Sequence, residues 1–196
     1  MAAPHHTPKR RADAERSIAR ILDAAVDALA EDQEASMSAI AERAGVVRAT
    51  IYVHFPTRET LIAAVTDRAL AEVAAVIAEA DPEHGDPAEA LRRIVAATWR
   101  MLGRYHALVA ITTSTSTPEE LHRRHEPVLG RLLPLVERGQ AAGVFRADVP
   151  AGWHVAMLMA VIHAASAELR AGRVDEAAAE AAVVNSVLGA LVGPAT

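Results

Sequence analysis

Apolar residues recur every three or four positions along most of this chain, which is the period of an amphipathic α-helix. Runs that alternate apolar and polar residues, as a half-buried strand would, are missing from the pattern. The pattern therefore predicts an all-α protein of about nine helices. Their expected ranges are 14–30, 36–44, 47–55, 58–80, 87–102, 106–111, 117–142, 150–169 and 175–191.

The stretch from residue 36 to residue 58 has the spacing of a helix-turn-helix. Ile40, Ala41 and Ala44 fall on one helical face, and Gly45 stands where that helix must end. Ile51 follows six residues later and can pack back onto the first helix. The second helix of such a motif enters the major groove of DNA.

The outer face of that second helix carries hydrogen-bond donors, namely Arg48, Thr50, Tyr52 and His54. Side chains of this kind contact phosphates and base edges. Thr57 is a predicted N-cap of the next helix, and the free N–H groups there, with Arg58 beside them, favour a phosphate. The predicted DNA-contacting residues are Ser36, Ser38, Arg48, Ala49, Thr50, Tyr52, His54, Thr57 and Arg58, with Lys9, Arg10 and Arg11 in the preceding arm.

These residues resemble the DNA-binding head of the TetR family of transcriptional regulators. The resemblance rests on Ile40-Ala41, Ala44-Gly45-Val46, Thr50-Ile51-Tyr52, His54-Phe55 and Pro56-Thr57-Arg58-Glu59. It covers about a quarter of the chain, and it implies a dimer that binds an operator and responds to a small molecule. Two positions depart from the family pattern. Val47 replaces the usual Ser or Thr N-cap, and the acidic linker 31–35 lacks the usual Gly.

Composition and charge limit the remaining possibilities. The chain has 196 residues, a net charge of −5 and no cysteine, which excludes disulfides and thiolate chemistry. Residues 1–60 contain eight Lys or Arg and nine Asp or Glu, so DNA binding must depend on where the charges point. Residues 1–12 are predicted to be a basic flexible arm that either contacts DNA or is simply solvated. Apolar runs are too short to span a membrane, and a cytoplasmic protein is expected.

Residues 13–59 are the predicted DNA-binding domain, and residues 60–196 are predicted to bind a ligand and to dimerise. The last two helices are apolar on more than one face and need burial on two sides, which favours a homodimer. The expected interface residues are Leu158, Ile162, Val184, Leu188 and Leu191. The expected pocket residues, for which simple core packing is the alternative, are Trp99, Met101, Leu102, Tyr105, Leu129, Leu133, Met157 and Val161.

We find no motif for catalysis, metal binding or a cofactor. His122 and His125 lie three residues apart without a third ligand, so a solvated helix face is favoured over a metal site. The sequence therefore predicts a homodimeric, non-enzymatic transcriptional repressor that binds double-stranded DNA. A small hydrophobic or amphipathic ligand is expected to release it from a palindromic operator. The long fourth helix is the expected mechanical link. The alternative is a helical adaptor that binds a protein partner.

Overall fold

The computed structural model describes residues 8–192, and this part of the chain contains helices and no strand. Side chains are described for residues 12–117 and 119–192. The all-α prediction is confirmed. The helices are α1 (Pro8–Glu31), α2 (Met37–Arg43), α3 (Arg48–His54), α4 (Arg58–Glu79), α5 (Pro87–Leu102), α6 (His106–Thr115), α7 (Pro118–Ala141), α8 (Ala151–Arg170) and α9 (Glu176–Leu191), with a 3-10 turn at Gly103–Tyr105.

The first helix begins earlier than the sequence predicts. It starts at Pro8, inside the segment expected to be a flexible arm, because a proline is well tolerated in the first turn of a helix. Asp13, which directly precedes the expected helix start at residue 14, lies within α1 and forms an ion pair with Arg16. The predicted arm is therefore wrong from residue 8 onwards, and residues 1–7 lie outside the described part of the chain.

The helices α1, α2 and α3 pack around a small apolar core in the N-terminal unit. Ile21, Ile40 and Ile51 supply one residue from each helix, and all three are fully buried. The compact unit to which they belong extends to Asp67, and the second unit begins at Arg68. The division therefore falls inside α4, beyond the predicted boundary at residue 59.

Side-chain caps fix several of the helix ends. Asp86 accepts a hydrogen bond from the Glu89 N–H at 2.9 Å and so caps α5 at its expected start. Thr117 and Glu120 form the two reciprocal bonds of a capping box at the start of α7. At the end of α7, Gly143 takes a φ of 70°, which a glycine adopts without steric cost.

The run of Ser and Thr after residue 111 is helical, although its composition predicts a loop. The hydroxyls bond within the helix and so do not compete with it. Thr112 donates to the Leu108 carbonyl (2.9 Å), and Thr115 donates to the Ile111 carbonyl (2.8 Å). These bonds extend α6 to Thr115. The helix α7 also continues without a break through its two internal prolines, Pro127 and Pro134.

The second unit is built on α5, α7, α8 and α9. In this bundle, α8 packs against both α7 and α9, and α5 packs against the same two helices. Leu91, Leu135 and Val187 are among its buried core residues. The helix α6 lies against α8. Within residues 8–192, no helix is both long and apolar enough to cross a membrane.

Candidate nucleic-acid interface and ligand groove

The turn between α2 and α3 has the geometry that the sequence predicts. Ser36 caps α2, because its hydroxyl oxygen accepts a hydrogen bond from the Ala39 N–H at 3.2 Å. Two residues beyond the end of α2 comes Gly45, whose φ is 64° and therefore lies in the left-handed region. The Val46 N–H then donates back to the Ala41 carbonyl at 3.0 Å. This hydrogen-bonded stop sets the direction in which α3 leaves the turn.

The α3 helix has one buried and one exposed face. Ile51 is fully buried, and Phe55, one turn later, is 7% exposed. Thr50 and His54 are half-buried at the border of this face. The exposed residues of α3 are Arg48, Ala49, Tyr52 and Val53. We call these four residues, together with the exposed Val47 that precedes them, the α3 outer surface.

Arg48 and Tyr52 form a pair on the α3 outer surface. The Arg48 guanidinium lies 5.6 Å from the centre of the Tyr52 ring. This is a cation–π distance between residues one helical turn apart. The contact holds a positive charge and a phenol side by side above the exposed face. Such a pair suits a phosphate or a base edge.

Val47 occupies the N-cap position of α3 without capping it. Its φ of −71° and ψ of 148° place the backbone in the extended region, but its side chain makes no hydrogen bond to the helix. Residues that do cap a helix have the same extended backbone. The Val47 side chain is 71% exposed. Val47 therefore contributes neither a cap nor core packing.

The start of α4 is more fully occupied than the sequence predicts. Thr57 and Thr60 bond reciprocally, each hydroxyl oxygen accepting the other residue's N–H at 3.1–3.2 Å. The Glu59 carboxylate has a pKa below its usual value, chiefly because its own backbone N–H donates to it. Arg58 donates to the Gln33 carbonyl. The N–H groups of Thr57, Glu59 and Thr60 and one Arg58 nitrogen therefore already have partners within the chain, and a phosphate contact at Arg58 stays a prediction.

The other predicted DNA-contacting residues have varied positions. Ser36 and Ser38 are exposed, but the Ser36 hydroxyl oxygen already serves as a cap. The His54 ring packs 6.4 Å from that of Phe55. Lys9, Arg10 and Arg11 lie in the first turns of α1, and their side chains are outside the described set.

A groove of about 540 Å³ runs between α7 and α8. Of the predicted pocket residues, it brings together Leu129 and Leu133 but none of the other six. Its lining, mostly apolar, is Leu121, His122, His125, Glu126, Leu129, Gly130, Leu133, Gly152, Val155, Ala156, Met159, Ala160 and His163. We call this feature the α7–α8 groove.

Two histidines face each other in the α7–α8 groove. The rings of His125 and His163 lie 5.9 Å apart, edge to face. Burial lowers the pKa of both imidazoles, so both are neutral at pH 7. The His125 Nδ1–H donates to the Leu121 carbonyl at 2.7 Å. Nε2 of the neutral ring is then the acceptor. The helical spacing of His122 and His125 alone did not reveal this pair, because His163 comes from another helix.

Trp99 and Tyr105, both predicted pocket residues, belong to the core of the second unit at 1% exposure each. The Tyr105 hydroxyl donates to Glu72 at 2.7 Å, and burial raises the pKa of the phenol. Trp99 packs 5.5 Å from the ring of His106. The partly buried Met101, Leu102, Met157 and Val161 pack against the same core. These six are therefore not residues of the α7–α8 groove.

No group of three or more His, Asp or Glu among the described side chains is placed to hold a metal ion.

Comparison with known proteins gives the family. Residues 21–65 match the model of bacterial regulatory proteins of the tetR family, and residues 86–190 match that of the SbtR-like transcriptional regulator C-terminal domain. The second match alone covers more than half of the chain. This chain belongs to the TetR family of transcriptional regulators. The family is non-enzymatic, which confirms the expectation that this protein is not an enzyme.

Individual relatives agree with this assignment to the TetR family. The transcriptional repressor NicS of Pseudomonas putida is 32% identical over 107 residues, which is half of each chain. The transcriptional regulator NfxB of Pseudomonas aeruginosa is 26% identical over 79% of this chain and 83% of its own. The structure of the TetR-like regulator LfrR of Mycobacterium smegmatis, in complex with proflavine, superposes with a TM-score of 0.69 at 25% identity, covering 92% of this chain and 99% of that one.

The residues predicted for a TetR-type dimer interface need correction. Leu158, Ile162, Leu188 and Leu191 are at most 9% exposed within the single chain, and only Val184 is half-buried. A side chain enclosed by its own chain has no area left for a partner, so these four are core residues. Exposed residues on the same two helices include Trp153, Ala156, Ala160 and Ala164 on α8, and Ala178, Ala181, Ala182 and Asn185 on α9.

Proposed function

We propose that this TetR-family regulator is a homodimeric repressor that binds a palindromic operator through the α3 outer surface. The observation that carries the proposal is the division of α3 into a face buried by Ile51 and a face that presents Arg48 and Tyr52 to solvent. In a helix-turn-helix protein, this second helix lies in the major groove. A two-fold dimer then requires a site with matching two-fold symmetry.

The exposed residues of α8 and α9 support dimerisation. Trp153 is 65% exposed, and Ala164 on α8 and Ala178, Ala181 and Ala182 on α9 are exposed too; none of these five residues lines the α7–α8 groove. Small side chains allow two helices to approach closely, and a large exposed aromatic marks an interaction surface. We therefore assign the dimer contact to these exposed residues of α8 and α9, in place of the buried leucines. Trp153 fluorescence should shift to shorter wavelength as the protein concentration is raised through the dimerisation range.

The α7–α8 groove is the proposed effector site. Its wall is apolar, and its two neutral imidazoles offer hydrogen bonds without a positive charge. Glu126 adds a carboxylate at an exposed position. This combination suits an apolar or amphipathic molecule, neutral or cationic, better than an anion. LfrR is known in complex with proflavine, so proflavine is a suitable first probe.

An effector releases DNA only if it binds one conformation of the regulator better than the other. Coupling of this kind is typically worth ~1–3 kcal/mol and acts in both directions. The α4 helix is continuous from Arg58 to Glu79 and so belongs to both units of the chain. We propose that α4 transmits the change. If Leu129→Trp, which fills the groove from α7, left proflavine-induced DNA release unchanged, the groove assignment would be refuted.

The DNA-binding proposal is tested by selection from randomised duplex DNA, followed by affinity measurements on the enriched sequence. Arg48→Ala and Tyr52→Ala should each weaken binding by roughly tenfold or more, as loss of a base or phosphate contact does. Arg131→Ala is the charge-matched control, because Arg131 is an exposed residue of α7 in the second unit. It should bind like the wild type. Failure to enrich any sequence at low salt would refute the proposal and favour the protein-adaptor alternative.

A further inference from the structure

The α3 outer surface exposes two valines, one at each end of the helix. Val47 is 71% exposed at the N-terminal end, and Val53 is 77% exposed at the C-terminal end. In α1 and α2, by contrast, large aliphatic residues such as Ile21, Leu29 and Ile40 are buried, and Ile18 is half-buried. The two valine side chains are therefore not part of the core, and either is free to contact an apolar group of a partner.

The major groove of DNA offers one such group. The C5-methyl of thymine is the apolar feature on the base edges there, and aliphatic side chains contact it. A valine side chain has no hydrogen-bond donor or acceptor, so it can distinguish bases only through apolar contact. Base contacts in a helix-turn-helix come mainly from the N-terminal residues of the recognition helix. Val47 and Ala49, both exposed, stand at that end of α3.

We propose that Val47 reads a thymine methyl group in each operator half-site and is therefore a specificity-determining residue of this regulator. The inference rests on the proposed function, since it concerns the same DNA complex. Its basis is local. The Val47 backbone already has capping geometry, yet its side chain makes no cap bond and remains exposed. A serine or threonine there would bond to its own helix, whereas the valine leaves two methyl groups facing outward.

Val53 is the matched control for this proposal. It has the same side chain and nearly the same exposure. It lies six residues further on, however, which is about 9 Å along the helix axis. At that distance it is beyond the base pair that Val47 reaches. A general effect of exposed apolar surface would make the two valines equivalent, whereas a specific methyl contact would involve Val47 alone.

The test replaces each thymine of the selected operator by deoxyuridine, which differs only by the C5-methyl group. Affinities are measured by fluorescence anisotropy for the full-length wild type, Val47→Ala and Val53→Ala. We expect one symmetric pair of thymines whose replacement weakens wild-type binding about fourfold per half-site, the effect of one buried methyl group. With Val47→Ala the same replacement should change affinity less than twofold, and with Val53→Ala the fourfold effect should remain.

Three results would overturn the inference. The first is that no uracil replacement changes the affinity of the wild type. The second is that the loss of affinity caused by uracil persists in Val47→Ala, and the third is that this loss disappears in Val53→Ala. If an operator is enriched but uracil has no effect, the proposed function stands and this inference fails. If no operator is enriched, both fail. Val47→Ala should bind the uracil operator as tightly as wild type does, which separates a lost methyl contact from misfolding.

Discussion

Substitutions at the N-cap positions of α2 and α3 test the local structure of the proposed DNA-binding motif. The backbones of Ser36 and Val47 are almost superimposable, with φ of −76° and −71° and ψ of 155° and 148°. Only Ser36 makes a side-chain cap bond. Ser36→Ala should therefore destabilise the motif, whereas Val47→Thr should stabilise it.

The two changes should have similar magnitudes and opposite signs. Removal of a Ser or Thr cap typically costs about 1 kcal/mol. Threonine has the shape of valine, and the Val47 side chain is 71% exposed, so the exchange sacrifices little apolar burial. We therefore expect Val47→Thr to stabilise α3 by about 1 kcal/mol. Such a change alters an opening equilibrium about fivefold.

Native-state hydrogen exchange on the full-length protein can measure this change locally, since small units of a protein open independently. Protection of the α3 amides should rise about fivefold in Val47→Thr, and protection of the α2 amides should fall by a similar factor in Ser36→Ala. Amides of α9 are an internal control and should not change. Unaltered or lower protection of α3 in Val47→Thr would refute the assignment of Val47 as a vacant cap position.

Three further changes test the second unit. Gly139→Ala should destabilise it by roughly 1–3 kcal/mol in urea unfolding, since a Cβ there would overlap the buried ring of Phe145. Burial lowers the folded-state pKa of His125 and His163. Stability should therefore fall as pH drops below about 6.5, where the unfolded chain takes up protons. A His163→Gln variant should flatten that dependence. Tyr105→Phe should cost about 1 kcal/mol in thermal unfolding, by leaving the partly solvated Glu72 carboxylate without its phenol donor.

Local signals predicted the helix ends well. Gly45 ends α2 and Gly143 follows α7, each with a positive φ that the sequence pattern anticipates. The caps Asp86 and Thr117 lie beside or at the expected helix starts, residues 87 and 117. These features depend on interactions within a few residues, which a sequence displays directly. The start of α1 is the exception, because Pro8 begins a helix as readily as it ends one.

Features that depend on distant residues were harder to predict. The hydrogen bond from Arg58 to the Gln33 carbonyl could not be predicted, because the two residues are 25 positions apart in the sequence. The apolar positions of α8 and α9 predicted burial correctly, yet periodicity does not say whether a residue such as Leu158 is covered by its own chain or by a partner. The contact between His125 and His163 in the α7–α8 groove was likewise not predicted, because the two residues come from different helices.

The Val47 position joins stability and recognition in one side chain. If the valine were a neutral substitution, restoring the cap with threonine would raise the stability of α3 and leave DNA binding unchanged. If it reads a thymine, the same substitution removes one of two outward methyl groups, so it should weaken the uracil effect while strengthening the helix. A gain of about 1 kcal/mol in stability, combined with a partial loss of thymine preference, would show that this regulator lacks the cap because the methyl contact serves operator choice.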